Sequence, residues 1–148
     1  GPVDLTGAAE PGPVRVILYA SSSAVDTDFT AKLVDVGPCG YARNLTDGIL
    51  RARYRQSACK EDFLTPGQVT ELVIDLVATA NLFLPGHCLR LEISSSNFPR
   101  FDRNPNTEHP FGEDDETLPA LQTIYHDHRY PSHVVLPIVP RRADRSPE

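Results

Sequence analysis

The chain has 148 residues, enough for one domain with a single hydrophobic core. Its formal net charge of -6 argues against a nucleic-acid partner, which would require a concentrated basic surface. No apolar run reaches the roughly 18–20 residues that a membrane-spanning helix needs, so we expect no membrane partner either.

The cysteine pattern does not predict a disulfide framework. Cys39, Cys59 and Cys88 are an odd number and lack Cys-x-x-Cys spacing. We therefore expect reduced, buried structural thiols and a cytoplasmic location. A single bridge between Cys39 and Cys59 remains an alternative.

Short strand-like segments follow one another along the chain, at residues 14–20, 29–36, 49–55, 72–79, 89–94 and 134–139. The first shows the period of two that a half-buried strand requires, with Val14, Val16, Leu18 and Ala20 on one face. Residues 72–79 are apolar on both faces apart from Asp75, which predicts a central strand. The last segment contains Pro137, which favours an edge.

Turn signals separate these segments. Asp47-Gly48 predicts a two-residue hairpin turn, because glycine tolerates a positive φ. Residues 37–40, 65–67 and 84–86 combine Pro with Gly and predict further turns. Short strands at such spacing predict an all-β sandwich or barrel.

Residues 97–119 are polar and acidic and predict one long polar loop. We divide the chain into an N-terminal extension or linker at 1–12, a β-sandwich at 13–140 and a disordered tail at 141–148. Because position 1 is Gly rather than Met, we expect a processed product or part of a longer protein.

Two blocks carry a family resemblance. Residues 26–29 read Asp-Thr-Asp-Phe, and residues 95–104 read Ser-Ser-Asn-Phe-Pro-Arg-Phe-Asp-Arg-Asn. With further blocks at 83–87 and 133–138, they resemble the C-terminal domain of the cocaine esterase and X-Pro dipeptidyl-peptidase serine hydrolases. The resemblance implies a jelly-roll β-sandwich, similar to galactose-binding domains, that packs against an α/β-hydrolase head. It also implies that the head carries the nucleophilic serine, the acid and the histidine, and that no metal or cofactor binds here.

The chain contains no Gly-x-Ser-x-Gly nucleophile elbow. In agreement with this, the resemblance implies a non-catalytic accessory domain of a hydrolase that acts on esters, amides or X-Pro peptides, and that shapes the substrate cleft or an oligomer. The alternative is a free-standing carbohydrate- or ligand-binding module, with Phe98 and Phe101 as candidate ligand contacts, beside Phe111. A structural unit that only oligomerises is a third reading.

The carboxylates of Asp26, Asp28 and Asp102 could serve acid/base chemistry or bind calcium, but a structural role in a turn is favoured. We expect Arg100 and Arg103 to pair with these carboxylates. The residues predicted to organise the turn and the loop are Asp26, Asp28, Asn97, Asp102 and Arg103.

Arg51, Arg53 and Arg55 alternate along the predicted strand at 49–55. They predict a solvated charged face, or alternatively an interface, since arginine is enriched at binding surfaces. His126 and His128, with His133 nearby, could suit zinc, but a polar loop is favoured and no metal site is expected.

Overall fold

Strands dominate the structure, a computed structural model that describes residues 13–110, 112–113 and 115–138. The predicted extension at 1–12 and tail at 141–148 lie outside the described residues, as does Phe111. In chain order the elements are β1 (Arg15–Ser22), β2 (Asp28–Val36), β3 (Ala42–Arg51), a 3-10 helix (Ala52–Tyr54), β4 (Thr70–Asp75), β5 (Cys88–Ser94), β6 (Gln122–Tyr125) and β7 (His133–Val135). The predicted all-β fold is confirmed.

The strands form two antiparallel sheets. One has the order β4-β1-β6, and β7 also pairs with β1. The strands β6 and β7 lie on the same side of β1, β6 along its C-terminal half and β7 along its N-terminal half. The other sheet has the order β3-β2-β5. This arrangement is a β-sandwich; its jelly-roll topology remains an expectation.

Alternation of side chains builds the core between the sheets. Val16 and Leu18 of β1 lie opposite Ile74 and Leu72 of β4, and all four are buried. Phe29, Ala31 and Leu33 of β2 cover them from the other sheet. The buried face predicted for β1 is confirmed. Burial of one large apolar side chain contributes about 1.5–3 kcal/mol, so these strands supply most of the driving force for folding.

The prediction that residues 72–79 form a central strand is wrong. Among the described strands β4 pairs with β1 alone and lies at the edge of its sheet, and Leu72, Ile74 and Leu76 are buried in the core. Val73 and Val77 point outwards and are 41% and 65% exposed. These exposed valines, rather than a second buried face, account for the apolar residues on both sides of the segment.

The hairpin predicted at Asp47-Gly48 is also wrong. Both residues lie inside β3, opposite Lys32 and Ala31 of β2. The two strands are joined instead through residues 37–41, where the Gly37 N–H donates to the Tyr41 carbonyl at 2.9 Å. A Cβ at position 48 would overlap the Asp75 carbonyl oxygen and lie 3.0 Å from its carbonyl carbon. Glycine is needed here for close approach of two backbones across the sandwich.

All three cysteines are exposed and unpaired. The expectation of buried thiols is therefore wrong, and the alternative Cys39–Cys59 bridge is absent. Turns and loops at the surface carry Cys39 and Cys59, and Cys88 begins β5, which pairs with β2 alone among the described strands. Among the described residues, no helix has the length and the apolar character needed to span a membrane.

Candidate functional site

The arginines at 51, 53 and 55 do not share a face. The predicted strand ends at Arg51, and the chain turns through the 3-10 helix. This turn breaks the period of two, so Arg53 is fully buried while Arg51 and Arg55 are partly buried. The expectation of a solvated face is wrong for this set.

Arg53 is the centre of a buried polar network. Its Nε donates to Asp26 Oδ2 at 2.7 Å, and its backbone N–H donates to Asp26 Oδ1 at 2.9 Å. Its Nη2 donates to the Thr107 carbonyl at 2.6 Å, and its Nη1 to the His109 carbonyl at 3.2 Å and to Glu61 Oε1 at 3.1 Å. One guanidinium thus joins the β1–β2 connection, the segment after the 3-10 helix and the long loop.

The network keeps Arg53 charged despite its burial. Burial alone would lower the pKa of its guanidinium, but the hydrogen bonds to Asp26 and Glu61 raise that pKa above its usual value. In return, the hydrogen bond from Arg53, and a second from the Tyr54 hydroxyl, hold the pKa of Glu61 below its usual range. The hydrogen bond to Glu61 also raises the pKa of Tyr54.

Asn104 extends this network into the long loop. Its Nδ2 donates to Asp26 Oδ2 and to Asp28 Oδ1, both at 2.8 Å. Asp28 is buried and also accepts from Arg51, at 3.0 Å to Nε and 3.2 Å to Nη2. Asp26 and Asp28 therefore tie the loop to β2 and β3 through one amide and two guanidinium groups.

The predicted pairing of Arg100 and Arg103 with these carboxylates is wrong, because Arg51 and Arg53 from β3 and its following turn hold Asp28 and Asp26. Arg100 instead pairs with Asp47 at 3.1 Å. Asn97 donates to the same carboxylate, at 3.1 Å. The predicted loop residue Asn97 is thus brought to β3.

Of the remaining predicted residues, Asp102 and Arg103 are exposed and Arg55 is partly buried. The Arg103 guanidinium lies over the Phe98 ring, 5.6 Å from its centroid, and Asp102 is exposed. Arg55 pairs with Asp62 at 2.7 Å and donates to the Ala52 carbonyl, so it holds the turn after β3.

An open pocket of about 380 Å³ lies above the network, between the end of β3 and the start of the long loop. Its lining combines two rings with charged groups: Ile49, Arg51, Tyr54, Arg100, Phe101 and Asp102. Of the residues predicted from sequence, the structure brings Arg51, Phe101 and Asp102 together here. Phe98 and Arg103 are outside the lining.

Sequence reasoning missed Asn104, Glu61 and the carbonyls of Thr107 and His109. Asn104 stood in the family block at 95–104, which was the one available signal. Glu61 had none, since its partner Arg53 was expected to face solvent. Backbone carbonyl partners cannot be read from side-chain identity.

Replacing Asn104 with alanine should loosen the long loop without unfolding the sandwich. Both carboxylates keep arginine partners, so we expect a loss of about 1–3 kcal/mol in the free energy of unfolding. Trypsin should cleave after Arg100 and Arg103 several times faster, as gel densitometry would measure. Asn44→Ala, at an exposed position of β3, is the matched control. Equal cleavage rates in the two variants would contradict this role of Asn104.

A second buried carboxylate, Asp35, lies at the opposite end of β2. Its Oδ1 is 2.8 Å from His87 Nδ1, and its Oδ2 is 3.4 Å from both Arg43 Nη2 and Asn81 Nδ2. The His87 hydrogen bond is the main reason that the pKa of Asp35 is lowered, with Asn81 and Arg43 adding to it against the effect of burial.

This lowered pKa predicts a pH dependence of stability. A carboxyl group whose folded pKa is below its unfolded value, about 3.9 for aspartate, stabilises the fold above that value and loses this effect as the pH falls through the folded pKa. Asp35→Asn should therefore flatten the fall of Tm below about pH 4. Asp75 is an exposed aspartate that pairs with Arg15, and Asp75→Asn is therefore the control variant. Identical acid profiles for Asp35→Asn and the unmodified chain would refute this.

The histidines at 126 and 128 lie in an exposed turn before β7. Asp127 Oδ1 accepts the backbone N–H groups of Arg129 and Tyr130, at 2.8 and 2.9 Å. His133 Nδ1 lies 2.7 Å from the Pro131 carbonyl. In the described ranges, no three His, Cys, Asp or Glu side chains are grouped to hold a metal ion.

Comparisons with known proteins agree with this arrangement. Residues 11–135 match the family model described as the X-Pro dipeptidyl-peptidase C-terminal non-catalytic domain. The chain is 47% identical over 142 residues to the cocaine esterase of a Rhodococcus species, covering 95% of this chain and 24% of that protein.

Two solved structures with more than 30% sequence identity to this chain have a similar fold. An alpha-amino acid ester hydrolase superposes with a TM-score of 0.81 at 34% identity, over 86% of this chain and 23% of that one. An aminopeptidase from a Thaumarchaeota archaeon superposes with a TM-score of 0.77 at 33% identity, over 84% of this chain and 23% of that one. The chain spans about a quarter of the length of these relatives. With 125 matched positions in the family model, the chain belongs to the X-Pro dipeptidyl-peptidase C-terminal non-catalytic domain family, the C-terminal domain of hydrolases of the cocaine esterase type.

Proposed function

We propose that this domain serves a serine hydrolase by packing on its α/β-hydrolase head and forming one wall of the substrate cleft. The head would supply the serine, histidine and acid of the triad. The relatives are named as an esterase, an ester hydrolase and an aminopeptidase, so the proposed reaction is hydrolysis of an ester or amide bond. The observation that carries the proposal is the long loop, fixed by the Arg53 network beside an open pocket.

Fixing the loop gives that wall a defined shape. Irregular loops have many conformations, and a cleft wall that moved would not orient a substrate. Here two loop carbonyls and the Asn104 amide are held by groups on the sandwich, at distances of 2.6–3.2 Å. The buried network therefore supports the pocket residues from beneath, as a binding site requires.

The pocket suits contact with a small organic acyl or leaving group. The rings of Tyr54 and Phe101 provide apolar surface, and Arg51, Arg100 and Asp102 place charge at the rim. A pocket of this volume is within the usual range for small-molecule sites, where a few polar groups set orientation.

Kinetics on two lengths of protein test the proposal. The 148-residue chain alone should not hydrolyse p-nitrophenyl acetate, whereas the longer hydrolase that contains it should. In the longer protein, Phe101→Ala should raise KM about tenfold, the size expected for a lost apolar contact. The exposed Phe98→Ala is the matched control. A serine-inhibitor-sensitive rate from the isolated chain, or unchanged kinetics in Phe101→Ala, would overturn the proposal.

The proposal extends to the location of the protein in the cell and to its assembly into an oligomer. Three exposed, unpaired cysteines favour the reducing environment of the cytoplasm. The outer surface that includes Val73 and Val77 could also join copies of the hydrolase into an oligomer. Analytical ultracentrifugation of the longer protein, with Val77→Lys as the variant, would measure this.

A further inference from the structure

Tyr54 connects the open pocket to the buried polar network. Its ring lines the pocket together with the ring of Phe101. Its hydroxyl donates to Glu61 Oε1 at 3.0 Å, and the same oxygen accepts from Nη1 of the buried Arg53 at 3.1 Å. Glu61 is not among the residues that line the pocket. A carboxylate outside the pocket therefore holds one of the two rings that form its wall.

The hydrogen bond to Glu61 restricts the Tyr54 ring where packing alone does not. The direction of a tyrosine ring depends on two side-chain torsions. Tyr54 ends the 3-10 helix and is only partly buried, so its neighbours enclose one part of the ring. A hydrogen bond at the hydroxyl, the far end of the ring, fixes both torsions at once.

Glu61 is itself held in place. The backbone N–H of the next residue, Asp62, donates to the Arg53 carbonyl at 2.7 Å. The Asp62 carboxylate pairs with Arg55 at 2.7 Å. The Phe63 ring lies against the Arg53 guanidinium, whose Cζ is 4.9 Å from the ring centroid. The segment that carries Glu61 is thus fixed to the 3-10 helix, and its carboxylate is a fixed acceptor for the Tyr54 hydroxyl.

The protonation states of the pair suit this role. The hydrogen bond to Glu61 is the main reason that the pKa of Tyr54 is raised. The hydrogen bonds from Arg53 and Tyr54 hold the pKa of Glu61 below its usual range. Near neutral pH the hydroxyl is therefore a donor and the carboxylate an acceptor.

We propose that Glu61 is a positioning residue that acts through Tyr54 and sets how tightly the pocket binds a substrate. The inference rests on the proposed function, which assigns this pocket to the substrate. Because the ring is held before the substrate arrives, binding does not have to restrict it. The ring contacts the bound substrate and the transition state alike, so releasing it raises KM and leaves kcat nearly unchanged.

Kinetics of the longer hydrolase with p-nitrophenyl acetate test the proposal. Glu61→Ala should raise KM about fivefold, the ratio for a hydrogen bond of ordinary net strength, and change kcat less than about twofold. Tyr54→Phe removes the same hydrogen bond but leaves Arg53 paired with Glu61, so its KM should match. Glu61→Gln keeps an acceptor oxygen and should restore most of the affinity. The double variant Glu61→Ala with Tyr54→Phe should be no worse than either single variant.

Glu71→Ala is the matched control. Glu71 also accepts a hydrogen bond from a tyrosine hydroxyl, that of Tyr19, at 2.6 Å. This pair lies on β4 and β1 of the other sheet, and neither residue lines the pocket. We expect KM and kcat to be unchanged in this variant.

A second measurement, on the 148-residue chain, follows the hydrogen bond without any activity. The chain is labelled with 3-fluorotyrosine, and the fluorine NMR signal of Tyr54 is assigned by its loss in Tyr54→Phe. In Glu61→Ala we expect the Tyr54 hydroxyl to ionise at a lower pH than in the unmodified chain, because the acceptor that raises its pKa is gone. The same titration of Tyr19 should not change.

The outcomes separate this inference from the proposed function. If Phe101→Ala raises KM but Glu61→Ala and Tyr54→Phe do not, only this inference is overturned. A raised KM in Glu61→Ala that Tyr54→Phe does not reproduce would also overturn it, since Glu61 would then act through the Arg53 network alone. An unshifted Tyr54 titration in Glu61→Ala would show that the hydrogen bond is not formed. Unchanged KM in all three variants would overturn the proposed function and, with it, the role of the pocket.

Discussion

Replacing Arg53 with methionine should lower the free energy of unfolding by about 3–5 kcal/mol, because it leaves the buried Asp26 carboxylate without its charge partner. Both side chains are 0% exposed. The variant also leaves the Thr107 and His109 carbonyls without donors, which frees the long loop. Methionine fills a similar volume, so the loss reports the polar network rather than a cavity.

Urea unfolding followed by circular dichroism would measure this loss. Arg90→Met is the matched control, because the Arg90–Glu92 pair is exposed and such pairs contribute about 0–1 kcal/mol. The double variant Arg53→Met with Asp26→Leu should recover part of the lost free energy of unfolding, since it also removes the carboxylate that the single variant leaves without a charge partner. A loss below 1 kcal/mol for Arg53→Met would show that the network does not stabilise the domain.

Local periodicity predicted the strands well where one face is buried. Val14, Val16, Leu18 and Ala20 were assigned to one face from sequence, and all four are buried. The reason is physical: a strand between core and solvent must alternate, and the alternation is visible in the sequence. The same rule failed for β4, because exposed valines at positions 73 and 77 cannot be distinguished from buried ones by residue type alone.

The candidate site was predictable only in part, because its contacts are long-range. Arg53 and Asp26 are 27 positions apart, and Asn104 lies 78 positions from Asp26. The family block at 95–104 drew attention to the loop, and the spacing of the arginines identified Arg51 and Arg53. Neither signal showed that the chain leaves β3 in a 3-10 helix. This helix places the Arg53 side chain in the interior, where it holds the buried polar network.

At Gly48 the sequence pattern suggested the wrong reason for the presence of a glycine. Asp-Gly is common in hairpin turns because of positive φ, but in β3 Gly48 is required for its lack of a side chain. A Cβ there would meet the backbone of Asp75 in β4, and backbone cannot move aside as a flexible side chain can. The strands β3 and β4 would have to move apart at this point.

Gly48→Ala should therefore lower the free energy of unfolding by about 3 kcal/mol, near the upper end for overpacking. Thermal and urea unfolding would both measure it. Gly37→Ala is the matched control, because its Cβ would meet the His87 ring at ordinary contact distances of 3.7–3.8 Å. We expect that variant to change stability by less than about 1 kcal/mol. If Gly48→Ala proved as stable as Gly37→Ala, the two sheets would have to be less closely packed at this point than the structure shows.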